Sequence, residues 1–360
     1  MCDNPPVESG MFKCLSLPYR KDGLPQQLAN EYETMKRFDK TLRTDQPERN
    51  FIKEHPPYRK TNSDFFKHSR CTRKFFYDAS RIPPRKDKYS GEYNPFGLDH
   101  PIIACSAPLP ETLFAFWAMV YQTSVETNEG RKALIVMVTD LEEYKNGERK
   151  EKATQYWPDD TPLHLPSLED KLKGTEIQSI EVKLENTQII AGEIQEKDPY
   201  IMERTLRVVI HKEQSQSEEM IVTQLHVMNW VDNDVVDAHV LLRLTCRMMQ
   251  FTKSLTTEER YHFAPIVHCS MGVGRSSAVV LAYSFLFTVL KKSNEKFEFS
   301  EEVLKDQIDE YISYLRSYRG CFVPDCQFTL LALETIRILL GYEHFIDPKL
   351  KPLEREKVDE

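Results

Sequence analysis

Residues 264–277 read APIVHCSMGVGRSS, an apolar stretch that runs into a cysteine, two glycines and an arginine. The apolar part predicts a buried strand, and the residues after Arg275 predict the start of a long helix. A cysteine at a helix N-terminus meets unpaired amides and the positive end of the helix dipole, which favour its thiolate. Gly272 and Gly274 allow the chain to curl so that successive N–H groups face one point. The segment therefore predicts a phosphate-binding loop with Cys269 as a nucleophile.

Arg275 adds a planar guanidinium that can bind two oxygens of one phosphate group at once. The spacing between cysteine and arginine is weak support by itself, because Cys14 and Arg20 have the same separation. No glycine lies between those two residues, and neither a strand nor a helix is predicted beside them. We assign a function to the pair Cys269 and Arg275 and none to the earlier pair.

Composition and charge restrict the class of protein. The chain has 360 residues, of which 40% are hydrophobic and 11% aromatic, and this is typical of a globular protein with a sizeable core. Lysine and arginine number 48 against 56 acidic residues, so the formal net charge is -8. An acidic balance argues against a nucleic-acid partner and favours an ordinary soluble surface.

Targeting and redox signals point to the cytoplasm. Residues 1–20 mix prolines with polar residues and do not resemble a leader peptide. The longest apolar run, 278–290, is too short to span a bilayer, and we interpret it as a buried helix without membrane contact. The eight cysteines show no paired spacing typical of disulfides or zinc sites. We expect a reducing compartment and neither a metal nor an organic cofactor.

Patterns along the chain divide it into three parts. Residues 1–24 are proline-rich and polar, and residues 346–360 are mostly charged, so both predict flexible tails. The span 25–345 between them predicts one folded domain. It begins with an amphipathic helix over 28–38, where apolar residues recur every three or four positions.

The rest of the domain predicts an α/β (α+β) fold, with strands in the middle of the chain and helices late. Runs of β-branched and aliphatic residues predict five strands, at 133–139, 177–184, 205–211, 220–228 and 264–268. Helical periodicity predicts four later helices, at 237–253, 275–292, 301–318 and 328–340. The candidate phosphate loop lies where a strand gives way to a helix.

Phosphoryl transfer from an oxygen leaving group needs a proton donor as well as a nucleophile, and a thiolate has no proton to give. Asp232 and Asp234 lie in a polar turn after the strand that ends at Met228. Asp237 is predicted to cap the helix that begins one residue later. Asp232 follows Trp230, which can anchor a moving loop that carries a carboxylate over the phosphate. We therefore consider Asp232 the candidate acid.

Several motifs in order give this chain a resemblance to a known family. HC at 268–269, followed after five residues by RS at 275–276, resembles the signature of the phosphotyrosine-specific protein tyrosine phosphatases. Further motifs that resemble the family are DASR at 78–81, PLP at 108–110, FWAM at 116–119, YWP at 156–158 and WVD at 230–232. The resemblance covers the chain from about residue 64 to 340, and an ordered set is more specific than one motif.

The resemblance implies a fold and a set of roles. The family fold is a highly twisted mixed central sheet flanked by helices. Cys269 would attack phosphorus, Arg275 would bind the phosphoryl oxygens, and Asp232 would act first as acid and then as base. Ser276 would stabilise the departing thiolate. His268 would help to set the thiolate pKa.

The resemblance also implies substrate-binding positions. These are Ser270, Met271, Gly272, Val273 and Gly274 of the loop, together with Arg275, Asp232 and Gln327. Glu143 and Lys152 align with the glutamate and lysine of the family's acidic loop. Partners would be phosphotyrosine-containing proteins, and we expect a monomer.

Three departures from the family pattern lower the expected activity. Cys71 stands where the family has a tyrosine that packs on the phosphotyrosine ring, and such a contact is worth about 0.5–1.5 kcal/mol beyond its area. Pro324 replaces a glutamine that positions the hydrolytic water, so Gln327 would have to take over or hydrolysis would be slow. Val231 replaces the proline of Trp-Pro-Asp.

Two readings of function remain open from the sequence. The first is an active phosphatase of ordinary or reduced rate and of ordinary or relaxed selectivity. It is favoured because the nucleophile, the arginine and the acid are all present. The second is a phosphotyrosine-binding pseudophosphatase, favoured by Cys71 and Pro324. A phosphoinositide phosphatase is disfavoured because Ser270, Met271 and Val273 leave the loop without lysines. A dual-specificity enzyme is disfavoured because such enzymes lack the segments at 116–119 and 156–158.

Overall fold

A computed structural model gives the fold of most of the chain. It describes residues 79–85, 97–125, 131–145, 147–166, 177–192, 198–212, 216–231, 236–292 and 301–319, together with residues 322, 329, 331, 332, 334 and 335. The two predicted tails and the predicted helix at 28–38 lie outside the described residues. The predicted helix at 328–340 is described at five positions, which are helical.

The described residues contain ten strands. They are β1 (Ala79–Ile82), β2 (Ile102–Cys105), β3 (Lys132–Met137), β4 (Glu142–Lys145), β5 (Glu148–Glu151), β6 (Leu163–Pro166), β7 (Ile177–Ala191), β8 (Tyr200–Lys212), β9 (Glu218–Met228) and β10 (Ile266–His268). Eight of them form one mixed sheet in the order β1-β2-β10-β3-β9-β8-β7-β6, while β4 and β5 pair as a separate ribbon.

The helices of the described residues are α1 (Leu113–Val125), α2 (Ala238–Lys253), α3 (Thr257–His262), α4 (Gly274–Lys292) and α5 (Glu301–Tyr318). Helix α1 lies between β2 and β3, whereas α2 to α5 come after β9. A single 3-10 turn at Pro110–Thr112 leads into α1. None of the helices in this part of the chain has the length and apolarity needed to cross a lipid bilayer.

The centre of the large sheet is parallel. Strands β2, β10, β3 and β9 run in the same direction, whereas β9, β8, β7 and β6 alternate in direction and β1 is antiparallel to β2. The carboxyl ends of the four parallel strands therefore meet at one edge of the sheet. In open α/β sheets this edge is where ligands bind.

The centre of the sheet is buried on both faces. Along β3, Leu134 and Val136 pack with residues of α2, α4 and α5 on one face. Ile135 and Met137 pack with α1 on the other face. Because alternate side chains of a strand point to opposite faces, this arrangement accounts for the continuous apolar run in β3.

Helix α4 is the central helix of the first face. The five residues at its 278–282 positions are all fully buried, so the helix is covered on every side. This confirms the buried helix predicted from the apolar run. Its N-terminus directly follows the Cys269 segment, and the packing of α4 holds that end in place.

The described elements confirm the five predicted strands and three of the later helices, with shifted bounds at several ends. The Asp237 carboxylate accepts a bond from the His239 N–H at 2.7 Å, which confirms the predicted cap of α2. The sequence reasoning missed α1, because its residues are apolar on all sides and show no helical periodicity. It also missed β5, whose four charged residues are all exposed.

Candidate active site

Cys269 lies directly after β10, at the carboxyl edge of the parallel strands. We call residues 268–276 the Cys269 loop; it ends in the first turn of α4. The Cys269 side chain is buried, with 4% of its surface exposed. The loop therefore connects a central strand to a buried helix, as the sequence predicts.

Four consecutive carbonyl groups of the Cys269 loop accept hydrogen bonds, three of them from residues outside the loop. The Cys269 carbonyl accepts from His268 Nδ1 at 3.2 Å, and the Ser270 carbonyl accepts from the Ala107 N–H at 2.9 Å. The next two carbonyls bind one guanidinium: Arg319 Nη2 donates to the Met271 oxygen at 2.9 Å and Arg319 Nε to the Gly272 oxygen at 2.6 Å. Four consecutive carbonyls thus point outward, which leaves the amides free to point inward.

Gly272 is required by both its conformation and its surroundings. Its φ of +66° lies in the left-handed region that side chains rarely adopt. A Cβ atom at this position would lie 1.9 Å from the Cys105 carbonyl oxygen, far inside van der Waals contact. Only glycine allows the loop to approach the end of β2 this closely.

The inward amides and Arg275 favour the Cys269 thiolate. The Gly272 N–H donates to the Cys269 Sγ at 3.2 Å. Burial raises the pKa of the thiol, but the Arg275 charge and hydrogen bonds from Ser276 and from the Val273 N–H lower it further than burial raises it. The net pKa of Cys269 is therefore below its ordinary value, which is the condition for a nucleophilic cysteine at neutral pH.

Ser276 is fully buried. Its hydroxyl meets no partner within ordinary hydrogen-bond geometry, yet it lies close enough to Cys269 to lower the thiol pKa. A thiolate accepts hydrogen bonds over a broader range of angles than a thiol does. We therefore regard the Ser276 hydroxyl as a donor to the ionised sulfur.

His268 is fully buried and connects the loop to the other face of the sheet. Burial lowers its pKa to about 4, so the ring is neutral at pH 7. Because a carbonyl oxygen only accepts, His268 Nδ1 must carry the proton that it donates to Cys269. Nε2 is then an acceptor, and the Tyr156 hydroxyl donates to it at 2.9 Å.

Arg275 is 1% exposed and is held by two neighbouring segments. Its Nη1 donates to Glu143 Oε1 at 2.8 Å and to the Trp230 carbonyl at 2.5 Å. Lys152 Nζ lies 3.2 Å from the second oxygen of Glu143. Glu143 and Lys152, which the resemblance picks out, are thus brought to the arginine by the start of β4 and the residue after β5.

The segment after β9 approaches the site from the same side. The Asn229 N–H donates to Asp140 Oδ1 at 3.1 Å, and Asn229 has a φ of +62°. Trp230 is buried, whereas Val231 is 55% exposed. The chain therefore turns out of the core at this point, one residue before the candidate acid Asp232.

The structure unites most of the predicted site residues. His268, Cys269, Arg275 and Ser276 and the loop positions 270–274 lie together around one sulfur atom. Asp232 and Gln327 lie outside the described residues, as do Cys71 and Pro324.

Sequence reasoning missed Arg319, which binds two carbonyls of the loop from the end of α5. It also missed the Tyr156 hydroxyl as a partner of His268. Arg319 belongs to no motif in the sequence, and only the chain path brings it to the loop. Tyr156 lies in the YWP motif, so the resemblance marks its position but not its contact.

Comparison with known proteins agrees with this geometry. The family model described as Protein-tyrosine phosphatase matches residues 46–331. An inward-facing amide loop with a buried cysteine and arginine, at the carboxyl edge of a parallel sheet, is the arrangement expected of a cysteine-based phosphate site. The chain belongs to the protein-tyrosine phosphatase family.

Named relatives support the family assignment. Tyrosine-protein phosphatase 99A of Drosophila melanogaster is 29% identical over 231 residues, which are 60% of this chain and 15% of that protein. Receptor-type tyrosine-protein phosphatase epsilon of Rattus norvegicus is 28% identical over 253 residues, which are 69% of this chain and 28% of that protein. The chain thus spans less than a third of the length of these relatives.

Two solved structures share the fold. A protein tyrosine phosphatase of Trypanosoma cruzi superposes with a TM-score of 0.56 at 18% identity, covering 87% of this chain and 92% of that one. A protein tyrosine phosphatase of Trypanosoma brucei gives a TM-score of 0.57 at 19% identity, with coverage of 87% and 94%. The mixed central sheet flanked by helices is therefore the fold of this family.

Proposed function

We propose that this protein hydrolyses phosphotyrosine in proteins through a cysteinyl-phosphate intermediate. The observation that carries the proposal is the buried Cys269 sulfur just before α4, which accepts from the Gly272 N–H at 3.2 Å and whose pKa Arg275 and loop hydrogen bonds lower below its ordinary value. A binding protein has no need of an ionised sulfur, whereas nucleophilic catalysis requires one.

The first step transfers the phosphoryl group to sulfur. The Cys269 thiolate attacks phosphorus, an S–P bond forms and the P–O bond to the tyrosine oxygen breaks. Asp232 gives its proton to that leaving oxygen. Arg275 and the inward amides of residues 270–274 bind the three other phosphoryl oxygens, where charge is concentrated in the transition state.

The second step regenerates the enzyme. Water attacks the phosphorus of the cysteinyl-phosphate, the Asp232 carboxylate takes a proton from the water, and the S–P bond breaks to release inorganic phosphate. The departing thiolate is stabilised by the Ser276 hydroxyl and the same amides. Gln327 is proposed to position the water, because Pro324 stands where the family has a glutamine. No metal or organic cofactor enters either step.

The wider setting of this activity is also a proposal. Residues 25–345 are proposed as one phosphatase domain with tails at 1–24 and 346–360, and the matched family span lies inside that domain. A monomeric cytoplasmic enzyme in signal transduction, acting on phosphotyrosine-containing proteins, agrees with the acidic surface charge and the compartment expected for a reactive thiol.

Turnover of an aryl phosphate tests the proposal. We expect the purified protein to hydrolyse p-nitrophenyl phosphate and Cys269→Ser to lose on the order of 10^4-fold or more in kcat, because no nucleophile remains. The matched control is Cys246→Ser. Burial raises the pKa of Cys246 to about 12, so this buried cysteine of α2 is inert and its removal should leave turnover intact.

The alternative function has its own result in the same assay. A phosphotyrosine-binding pseudophosphatase, favoured by the Cys71 and Pro324 departures, would bind a phosphopeptide with no turnover above the Cys269→Ser background. That outcome would refute the proposed enzyme.

A further inference from the structure

Arg204 is a buried arginine on β8 that lies outside the Cys269 loop. It is 7% exposed, and no carboxylate forms an ion pair with it in the described part of the chain. Asp159 acts on it only as a more distant charge. Burying a guanidinium is costly unless its donors are bound, so this residue calls for a physical reason.

Arg247 shows what an ordinary buried arginine looks like on the same sheet. Its guanidinium binds the neighbouring Glu203 through two bonds, of 2.5 and 2.8 Å. Glu203 points to the opposite face of β8 from Arg204, because successive side chains of a strand alternate. Arg247 has its charge neutralised locally, whereas the charge of Arg204 acts on neutral groups.

The partners of Arg204 are an amide, an imidazole and an aromatic ring. Its Nη1 donates to Gln224 Oε1 at 3.0 Å and lies 3.2 Å from His226 Nδ1. Its Cζ stands over the Trp157 ring at 4.4 Å from the centroid, which is a cation–π contact. The guanidinium therefore fixes Trp157 from one side and the residues of β9 from another.

These contacts lead to the nucleophile through Tyr156. Tyr156 precedes Trp157 in the chain, and its hydroxyl donates to His268 Nε2 at 2.9 Å. His268 Nδ1 in turn donates to the Cys269 carbonyl at 3.2 Å. The Gln224 side chain, whose Nε2 lies 3.9 Å from Met137 Sδ, also acts on the Tyr156 hydroxyl and opposes the rise that burial causes in the Tyr156 pKa.

The hydrogen bonds of this series all point the same way. The Gln224 oxygen accepts from Arg204, so the NH2 group is the part of the Gln224 side chain that can donate towards Tyr156. Tyr156 donates onward because neutral His268 accepts at Nε2. Aligned hydrogen bonds polarise one another in a low-dielectric interior, so a cation at the head strengthens the donor at the far end. That last donor is His268 Nδ1, which donates to the Cys269 carbonyl.

We propose that Arg204 is a positioning residue that orients the Cys269 loop through Trp157, Tyr156 and His268. This inference rests on the proposed nucleophilic role of Cys269. Arg319 binds the Met271 and Gly272 carbonyls directly, whereas Arg204 acts on the Cys269 carbonyl only through the residues between them. With both carbonyl anchors in place, the loop amides face the sulfur and stabilise its ionised form.

A second series of hydrogen bonds, from Arg204 through His226, agrees with this role. His226 Nε2 lies 2.9 Å from the Thr139 carbonyl, so Nε2 carries the proton and Nδ1 accepts from Arg204. Thr139 precedes Asp140, which binds the Asn229 N–H. Arg204 therefore also supports the strand end from which the segment of the candidate acid departs.

The test measures the sulfur itself rather than turnover. Alkylation of Cys269 by iodoacetamide is followed against pH, with the modified peptide identified by mass spectrometry. In Arg204→Met we expect the midpoint of the profile to rise by about one pH unit, a tenfold loss of thiolate at a pH below both midpoints. Tyr156→Phe, which removes the donor to His268 and leaves the cation, should raise the midpoint in the same direction.

Arg247→Met is the matched control, because it removes a buried arginine of the same sheet that has no contact with this series. We expect the wild-type midpoint in that variant. An unshifted profile in Arg204→Met, or an equal shift in Arg247→Met, would overturn the proposal. If Arg204→Met does not fold, Tyr156→Phe decides: an unshifted midpoint there overturns the proposal as well.

The result is separable from the proposed function. A shifted midpoint in a protein without turnover would support the role of Arg204 and refute the enzyme. Normal turnover with unshifted variants would support the enzyme and refute the role of Arg204.

Discussion

The Cys269 loop and the segment that leads to Asp232 approach the same arginine but are held in different ways. In the loop, three consecutive carbonyls, those of residues 270–272, bind partners outside the loop, and Cys269 is 4% exposed. In the other segment, burial ends abruptly between Trp230, at 1% exposed, and Val231, at 55%. The proposed nucleophile is therefore positioned by the folded core, whereas the proposed acid comes directly after the exposed Val231.

This difference distinguishes the groups of the proposed site that folding orients from the group that substrate binding has to orient. The cost of orienting the sulfur and the amides is met when the protein folds, so that part of the site is preorganised. The carboxylate of Asp232 depends on how the chain continues after Trp230, whose carbonyl binds Arg275 at 2.5 Å. A phosphate group that binds Arg275 would affect both regions at once, because Arg275 belongs to the Cys269 loop and also binds the Trp230 carbonyl.

The largest expected effect comes from adding one methyl group to the Cys269 loop. Gly272→Ala would place a Cβ 1.9 Å from the Cys105 carbonyl oxygen at a φ of +66°. We expect a loss of about 2–6 kcal/mol in the free energy of unfolding from strain and overpacking together, and loss of turnover. Urea unfolding and the aryl phosphate assay measure the two effects.

The control is Gly147→Ala, in the turn between β4 and β5. Its φ is +80°, but no atom lies within 4 Å of the new Cβ, so only the backbone cost of roughly 1–2 kcal/mol remains. Equal losses in the two variants would show that the close approach to Cys105 contributes nothing.

The next effect tests the acid side of the comparison. In Asp232→Ala we expect kcat to fall by about 10²–10⁴-fold, because general acid catalysis is lost, while phosphopeptide affinity remains. Asp237→Ala removes a nearby carboxylate that caps α2 and should cost about 1 kcal/mol of stability without a change in kcat. Full activity in Asp232→Ala would transfer the role of acid to another residue.

The smallest effect concerns the two buried histidines, one on the strand before each region. Burial lowers the pKa of His226 to about 3 and that of His268 to about 4. Between pH 6.5 and 4 the unfolded state binds more protons than the folded state, so stability falls as pH falls. Each histidine contributes a slope of up to about 1.4 kcal/mol per pH unit.

Urea unfolding at pH 7 and at pH 5 measures this slope. His226→Gln keeps a donor and an acceptor but does not titrate, so we expect its loss of stability over that interval to be smaller than that of the wild type. The same loss in both proteins would show that His226 titrates alike in the folded and unfolded states.

The sequence predicted the Cys269 loop better than any other feature because its constraints are local. A strand, a cysteine, Gly272 and a helix N-terminus are all encoded within fourteen residues, and the structure brings them together as expected. The five predicted strands and the Asp237 cap are likewise local signals of alternation and capping.

The features that sequence reasoning missed depend on contacts across the chain. Arg319 reaches the loop over 47 residues, and the Tyr156 hydroxyl reaches His268 over 112. The sequence around Arg204 contains no motif that would distinguish this buried residue from Arg207, whose side chain is 42% exposed. Helix α1 shows no periodicity because it is apolar on every side, and neither β4, with the sequence EEYK, nor the exposed β5, with the sequence ERKE, has an apolar alternation.

Trapping the phosphoenzyme tests the central claim most directly. The protein is mixed with a phosphotyrosine peptide that carries labelled phosphate, quenched within milliseconds, and digested so that the labelled peptide can be sequenced. The account predicts label on the sulfur of Cys269, and none in Cys269→Ser. Turnover of the peptide with no label on Cys269, or with label on another residue, would contradict it.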